Sequence, residues 1–252
     1  MPVQPGPALA VALALLVAMA VAASTVGGLG RGRAITVAAL RAVVQLALVS
    51  LVIAAVLSHL VWSLLFAALM FGVATATSAR RVEAPRRWPW VALAMAAGVL
   101  PVLTVIFLSG AVPWAGASLV PVAGIIIGGT MTAHSLAGRR SFAALREELD
   151  SYEAALSIGL TRPQAVAEVI GRRLPEALVP GLDQTRTVGL VTLPGAFVGV
   201  LLGGGTPLQA GAAQLLVLVG LLAAQTTTVV VADRLIRSAR LLPDDLSRRL
   251  IA

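Results

Sequence analysis

The side chains with which this chain could do chemistry are nineteen arginines, eleven carboxylates and two histidines; cysteine and lysine are absent. A P-loop needs a Lys to reach the nucleotide phosphates, so any ATP hydrolysis coupled to this chain belongs to another one. Without cysteine there are no disulfides, thiolate metal ligands or thiol nucleophiles. Neither His-Glu-x-x-His nor Gly-x-Ser-x-Gly occurs, and His59 and His134 are far apart in the chain, so an intramembrane enzyme finds no support. His134 lies two residues from Thr132 in an apolar stretch and reads as a satisfied or partly solvated histidine rather than a metal ligand. Residues that would hold a metal are not identifiable.

A second set of polar groups is notable for its surroundings. Arg41 and Gln45 stand one helical turn apart, on one face of an otherwise apolar run. A buried Arg at the centre of a membrane costs at least ~2.5 kcal/mol on insertion scales, so it pairs, lines a wet cavity or snorkels to the headgroups. Gln214, Gln225 and Thr226 to Thr228 are further polar groups in an apolar run, facing a cavity or bonded to neighbouring helices. Pro194 lacks the amide hydrogen a helix interior needs, and Gly195 weakens the helix beside it, so a kink or interruption is expected there. Gly195, Gly199 and Gly203 form one small-residue stripe, and Gly124 with Gly128 another. Each suits a hinge or dimer seam, or close packing within one subunit.

The elements that must position these groups follow from composition. At 58% hydrophobic and 12% charged, with a mean hydropathy of +0.95, the chain lies outside the soluble globular range. The expected fold is all-α: a polytopic membrane protein of about seven spans, each of ~20 mostly apolar residues. They run approximately over 8–26, 34–57, 60–78, 88–109, 116–137, 188–204 and 209–232, within a single transmembrane domain covering 1–252. The first run lacks the positive n-region of a secretory signal, since no basic residue precedes Arg31, and is taken as a span.

The arginines fall in four clusters: Arg31, Arg33 and Arg41; Arg80, Arg81, Arg86 and Arg87; Arg139 to Arg186; and Arg234 to Arg249. The turns near His59, over 110–115 and over 205–207 carry none. The positive-inside rule then places the clusters in the cytoplasm, the N-terminus outside and the C-terminus inside, in a cell inner membrane. Because the clusters flank spans, the net charge of +8 is read as anchoring to anionic lipid, not as nucleic-acid binding.

About fifty residues, 138–187, separate the fifth and sixth spans, far more than a reconnection needs. Leu145, Leu149, Tyr152 and Leu156 form an apolar stripe with Arg146, Glu147, Asp150 and Glu153 largely off it, an amphipathic helix that Gly159 ends. Thr161, Pro163 and Gln164 mark a new N-terminus with a capping box, opening a second helix that carries Val166, Val169, Ile170 and Leu174. Such a helix-turn-helix suits docking to a protein, or lying on the membrane surface.

Glu153-Ala154-Ala155, Gly159, Ile170 and Leu174-Pro175 resemble the EAA loop of ABC-transporter permeases, with a longer interval between the glycine and the Leu-Pro pair. A broader resemblance is carried by Arg41 with Gln45-Leu46, by Pro121 with Gly124, by Gly159-Leu-Thr-Arg-Pro-Gln164-Ala165, and by the run from Ala177 through Asp183 and Thr185 to Pro194-Gly195, then Gly199 and Pro207. On these residues the chain resembles the FetB family of ABC permeases, which includes proteins described as iron exporters and the membrane half of a plant aluminium-tolerance transporter. The resemblance implies a permease subunit exporting metal ions, with iron foremost. It also implies a separate ABC ATPase that uses the ATP, no cofactor on this chain, and a homodimer in the lipid bilayer. The expected ATPase-coupling residues are Glu153, Ala154, Ala155, Gly159, Thr161, Pro163 and Gln164. The expected translocation or gating residues are Arg41, Gln45, Asp183, Pro194, Gly195 and Gly199. A channel or passive carrier without an ATPase, or an ABC permease for a non-metal solute, shares most of these features.

Overall fold

The computed structural model describes residues 6–251. Among them it is helical, with no strand and only an isolated bridge between Val188 and Thr192. Six helices are long and apolar enough to cross a membrane.

The chain divides into two compact units after Ser58. The first is a hairpin of α1 (Pro7–Val26) and α2 (Gly32–Ser58). Pro7 opens α1, where its missing N–H costs nothing. Gly28 and Gly30 turn the chain at φ +67° and +63°, and the Arg31 amide donates to Ser24 Oγ at 3.0 Å. Both helices are exposed along almost their whole length. For an apolar helix this means contact with lipid or protein rather than with water.

The second unit is built on α3 (Leu60–Arg81), α4 (Trp88–Leu108), α5 (Gly116–Glu147) and α10 (Pro207–Arg237). α10 packs on α4 and α5, and α5 on α3. Met95, Val99, Ile126, Leu218, Leu221 and Ala224 are among the buried side chains at these contacts. Prolines within α4 (Pro101) and α5 (Pro121) are accommodated without ending either helix. Thr206 caps α10 reciprocally with Gln209: the Gln209 amide donates to Thr206 Oγ1 at 3.3 Å, and the Thr206 amide to Gln209 Oε1 at 2.9 Å.

Three expectations need correction. α5 does not stop near Ala137 but continues to Glu147, so Leu145 belongs to it and not to a separate loop helix. The second loop helix ends at Ile170, leaving Leu174 in a 3-10 turn over Leu174–Leu178. The sixth apolar run, 188–204, is not a long helix: α8 (Val179–Arg186) is followed by eight non-helical residues and then by the short α9 (Gly195–Leu202). The interruption expected at Pro194 is present, with Pro194 as the residue before α9 and not a kink inside a continuous helix. The turn closes on bonds from the Gly189 amide to the Thr192 carbonyl and from the Val191 amide to the Thr187 carbonyl, each 2.9 Å, with Gly189 at φ +80°.

Candidate functional site

Most of the charged groups that pair in the second unit gather at one end; Asp183 with Arg186, on α8, is the exception. Arg146, near the end of α5, binds Glu83 of the α3–α4 turn (2.9 Å) and Asp245 of α11, Asp244–Ile251 (2.8 Å). Arg86 reaches Asp244 at 3.2 Å, Arg173 reaches Glu148 at 3.4 Å, and Arg140 pairs with Glu176. The other end holds His59, the 110–115 turn with Trp114 against Phe107 (ring centroids 5.0 Å apart), and the glycine turn before α10.

At the charged end, α6 (Leu149–Ser157) and α7 (Arg162–Ile170) form the expected hairpin. Its inner face is apolar and buried: Tyr152, Ala155, Ala165, Val166, Val169 and Ile170 join the main core, with Leu149 and Leu156 half-buried beside them. Gly159 turns the chain at φ +93°, a left-handed conformation that costs a side-chain-bearing residue ~1–2 kcal/mol. The Thr161 amide donates to Gln164 Oε1 at 2.9 Å, and Pro163 occupies the first turn of α7. Glu153, Ala154, Thr161, Pro163 and Gln164 are exposed, whereas Ala155 is buried. At the tip Ile158 is 79% exposed, a large apolar side chain on an otherwise charged surface. A cleft of about 310 Å³ lined by Glu148, Ser151, Glu168, Val169, Arg172 and Arg173 runs between the two helices.

The C-terminal helix straps this hairpin down. Leu242, Leu246 and Leu250 are buried in the same core, and the Tyr152 hydroxyl donates to the Leu250 carbonyl at 3.1 Å. Burial pushes the Tyr152 phenol upward, and the Arg146 hydrogen bond holds the Asp245 carboxyl below the usual carboxylate range. Asp244 and Asp245 in the first turn, with Arg248 and Arg249 in the last, match the helix dipole. Leu246 and Leu250 share one face of α11, with Leu242 just before it, a spacing present in the sequence but absorbed there into a charge cluster.

The remaining expected residues are on other elements. Arg41 and Gln45 are exposed in the middle of α2, in the first unit. Asp183 is on α8, paired with Arg186 at 3.6 Å. Gly195 and Gly199 have open space where a Cβ would point.

The segment from Leu174 to Leu202 climbs alongside α10. Leu174 and Ala177 pack with Val229, Ala133 and Ala137. Gly181 lies so close to Gln225 that a Cβ there would sit 2.1 Å from Oε1, and Gln225 Nε2 donates to the Gly129 carbonyl at 3.2 Å. Higher up, the Phe197 amide donates to Gln214 Oε1 at 3.3 Å. Gln214 is therefore the side chain that ties the broken segment to α10, while Gln225 bonds α10 to α5 and is closely approached by Gly181. In the core of the bundle, His134 Nδ1 shares a 2.8 Å hydrogen bond with Ser78 Oγ, which also meets Ser135 Oγ at 3.0 Å. His134 is thus a buried structural histidine, and no group of three potential metal-binding side chains occurs among the described residues.

Six long apolar helices, with most charged pairs gathered at one end, define a polytopic helical membrane protein. Residues 8–240 match the family described as "Uncharacterised protein family (UPF0014)". The chain belongs to that family, which bears out the resemblance seen in its motifs. It is 32% identical over 202 residues to the UPF0014 membrane protein STAR2 of rice, covering 77% of this chain and 70% of that one. It is 31% identical over 170 residues to "Protein ALUMINUM SENSITIVE 3" of Arabidopsis thaliana, covering 67% and 62%. It is 32% identical over 143 residues to the "Probable iron export permease protein FetB" of Escherichia coli, covering 57% and 54%. The match thus spans less than two thirds of the Arabidopsis and E. coli proteins. No solved structure matches the chain significantly.

Proposed function

We propose that this chain is the membrane subunit of an ATP-driven exporter of metal ions, with iron as the cargo, and that a separate ABC ATPase binds the α6–Gly159–α7 hairpin. The observation that carries the reading is the hairpin itself: its apolar face is fixed in the core, while Glu153, Ile158 and the start of α7 are presented outward at the charged end. A surface so anchored transmits force, because it cannot move without moving α5 and α10. The printed name of the E. coli relative supports iron and export.

Counting the broken segment as a crossing, the chain traverses the bilayer an odd number of times. Arginine at the charged end then puts the hairpin and C-terminus in the cytoplasm and the N-terminus outside, in a plasma membrane. Two copies enclose the pathway, and nucleotide is bound and hydrolysed by the partner alone. A channel or passive carrier would have no use for the anchored hairpin.

The test is co-expression with the candidate ATPase. Glu153→Arg and Gly159→Val are each expected to lower ATPase binding or transport-coupled hydrolysis while the permease still inserts. Undiminished assembly and coupling in both variants would remove the hairpin from the mechanism.

A further inference from the structure

The contacts of α8 and α9 with α10 bracket the segment between them. Gly181 stands at the level of Gln225 and Phe197 at the level of Gln214, positions about 16 Å apart along α10 at ~1.5 Å per residue. No charged residue occurs on α10 from Pro207 to Ala232, so that interval is the middle of the apolar slab. Between these two contacts the chain carries Asp183, Gln184 and Arg186, all exposed, and the non-helical turn 187–194. The side chains of Asp183 and Arg186 are 59% and 71% exposed. Their one mutual contact is 3.6 Å long, so the Arg186 donors and the Asp183 oxygens keep nearly all of their hydrogen-bonding capacity. The carbonyls of Gly189, Leu190 and Val191 also stand outside the bonds that close the turn.

Hydrocarbon can satisfy none of these groups. Irregular backbone at membrane depth survives only where protein buries it or water fills the space beside it, and an ion pair sealed in a dry interface needs its remaining hydrogen bonds met. A loose, open pair beside free carbonyls fits water. We infer that the exposed face of Asp183 to Leu193 is the wall of a water-filled passage at the bilayer midplane, in which the Asp183 carboxylate meets a hydrated hard cation and Arg186 balances its charge when the passage is empty. The carboxylate, the neighbouring carbonyls and the hydroxyls of Thr187 and Thr192 are oxygen donors, the set that hard cations take. Only the identity of the cation rests on the function proposed above; the passage itself does not.

The absence of native cysteine makes the test direct. Single variants Gln184→Cys and Thr192→Cys probe the wall; Leu215→Cys and Val219→Cys probe exposed positions of α10 at the same depth. A charged, membrane-impermeant thiosulfonate reacts with a thiolate in water and not with a thiol in lipid. In sealed proteoliposomes the first pair is expected to label and the second to stay silent, while all four label after denaturation. Silence of both wall positions in the folded protein, or equal labelling of all four, overturns the passage. Iron(II) or manganese(II) is expected to slow labelling of Gln184→Cys several-fold, and Asp183→Asn in that background to abolish the protection while the wall remains reactive. Labelling that neither ion slows, or protection that survives Asp183→Asn, overturns the role of Asp183. Neither result depends on whether an ATPase docks at the hairpin.

Discussion

Replacing Gly98 by alanine puts a methyl where α4 and α10 cross most closely. The added Cβ would stand 2.3 Å from the Ala224 carbonyl oxygen, 2.3 Å from Thr228 Oγ1 and 3.1 Å from the Ala224 carbonyl carbon. Unstrained contacts lie at ~3.5–4.0 Å, so the helices must separate by about 1 Å. Thr228 can rotate aside; the Ala224 carbonyl cannot. A gap of that size forfeits a quarter to a half of the dispersion energy of each contact it opens, here those of Met95, Val99, Leu221 and Ala224. Overpacking typically costs about 1–3 kcal/mol, and a backbone clash belongs at the upper end. The better helix propensity of alanine returns at most ~1 kcal/mol. The net of about 2 kcal/mol lowers the folding equilibrium constant roughly thirty-fold. Thermal stability in detergent, read by fluorescence-detected size exclusion, is the assay, with Gly128→Ala as a control because nothing lies within 4 Å of its added Cβ. Adding Thr228→Ala to Gly98→Ala should recover only part of the loss. Equal stability of Gly98→Ala and Gly128→Ala, or complete recovery in the double variant, would refute the argument that backbone contact sets this spacing.

Other outcomes follow from the charged end and from the caps. Asp245 has a lowered pKa in the folded state, so its contribution is present at neutral pH and is lost as the pH falls through that lowered value, below the ordinary ~3.9 of a carboxylate. The protection factors of the α11 amides, with exchange corrected for its intrinsic pH dependence, should therefore be high at pH 7 and fall in strong acid, whereas Asp245→Asn should be less protected already at pH 7; a pH-independent difference would exclude the carboxylate. Deleting 244–252 should speed proteolysis of the 149–170 hairpin without preventing membrane insertion, and unchanged cleavage would show that the strap restrains nothing. Thr206→Ala removes the reciprocal cap of α10 and should cost about 1 kcal/mol, read as a lower midpoint in the same thermal assay.

Much of the bundle was legible because hydrocarbon imposes a simple demand, a run of apolar residues long enough to cross, and six such runs are helices. The same signal misplaced the end of α5. Arg139 and Arg140 report where an apolar run ends, not where its backbone bonding stops, and the helix continues past them, packed against the core, to Glu147. It also made the 188–204 run look like a span broken only near Pro194. Leu190, Val191 and Leu193 are apolar, but Gly189 at positive φ and Pro194, which has no amide hydrogen, break the helix between them. The hairpin was readable from its stripe, its glycine and its capping box, since all three are local in sequence. The small-residue stripes at Gly124 and Gly195 were equally local, yet the tightest approaches to neighbouring elements fall at Gly98, Gly129 and Gly181. Which glycine is pressed depends on the element that arrives opposite it, and spacing along one helix carries no record of that.

The uninterrupted length of α5 has a mechanical corollary. From Gly116 to Glu147 it is a rod of roughly 48 Å at ~1.5 Å per residue, with one end tied to Glu83 and Asp245 through Arg146. Tilting such a rod by about 10° around its tied end swings the opposite end by roughly 8 Å. A rotation that leaves the tied end nearly still thus appears almost entirely as displacement of the end at Gly116.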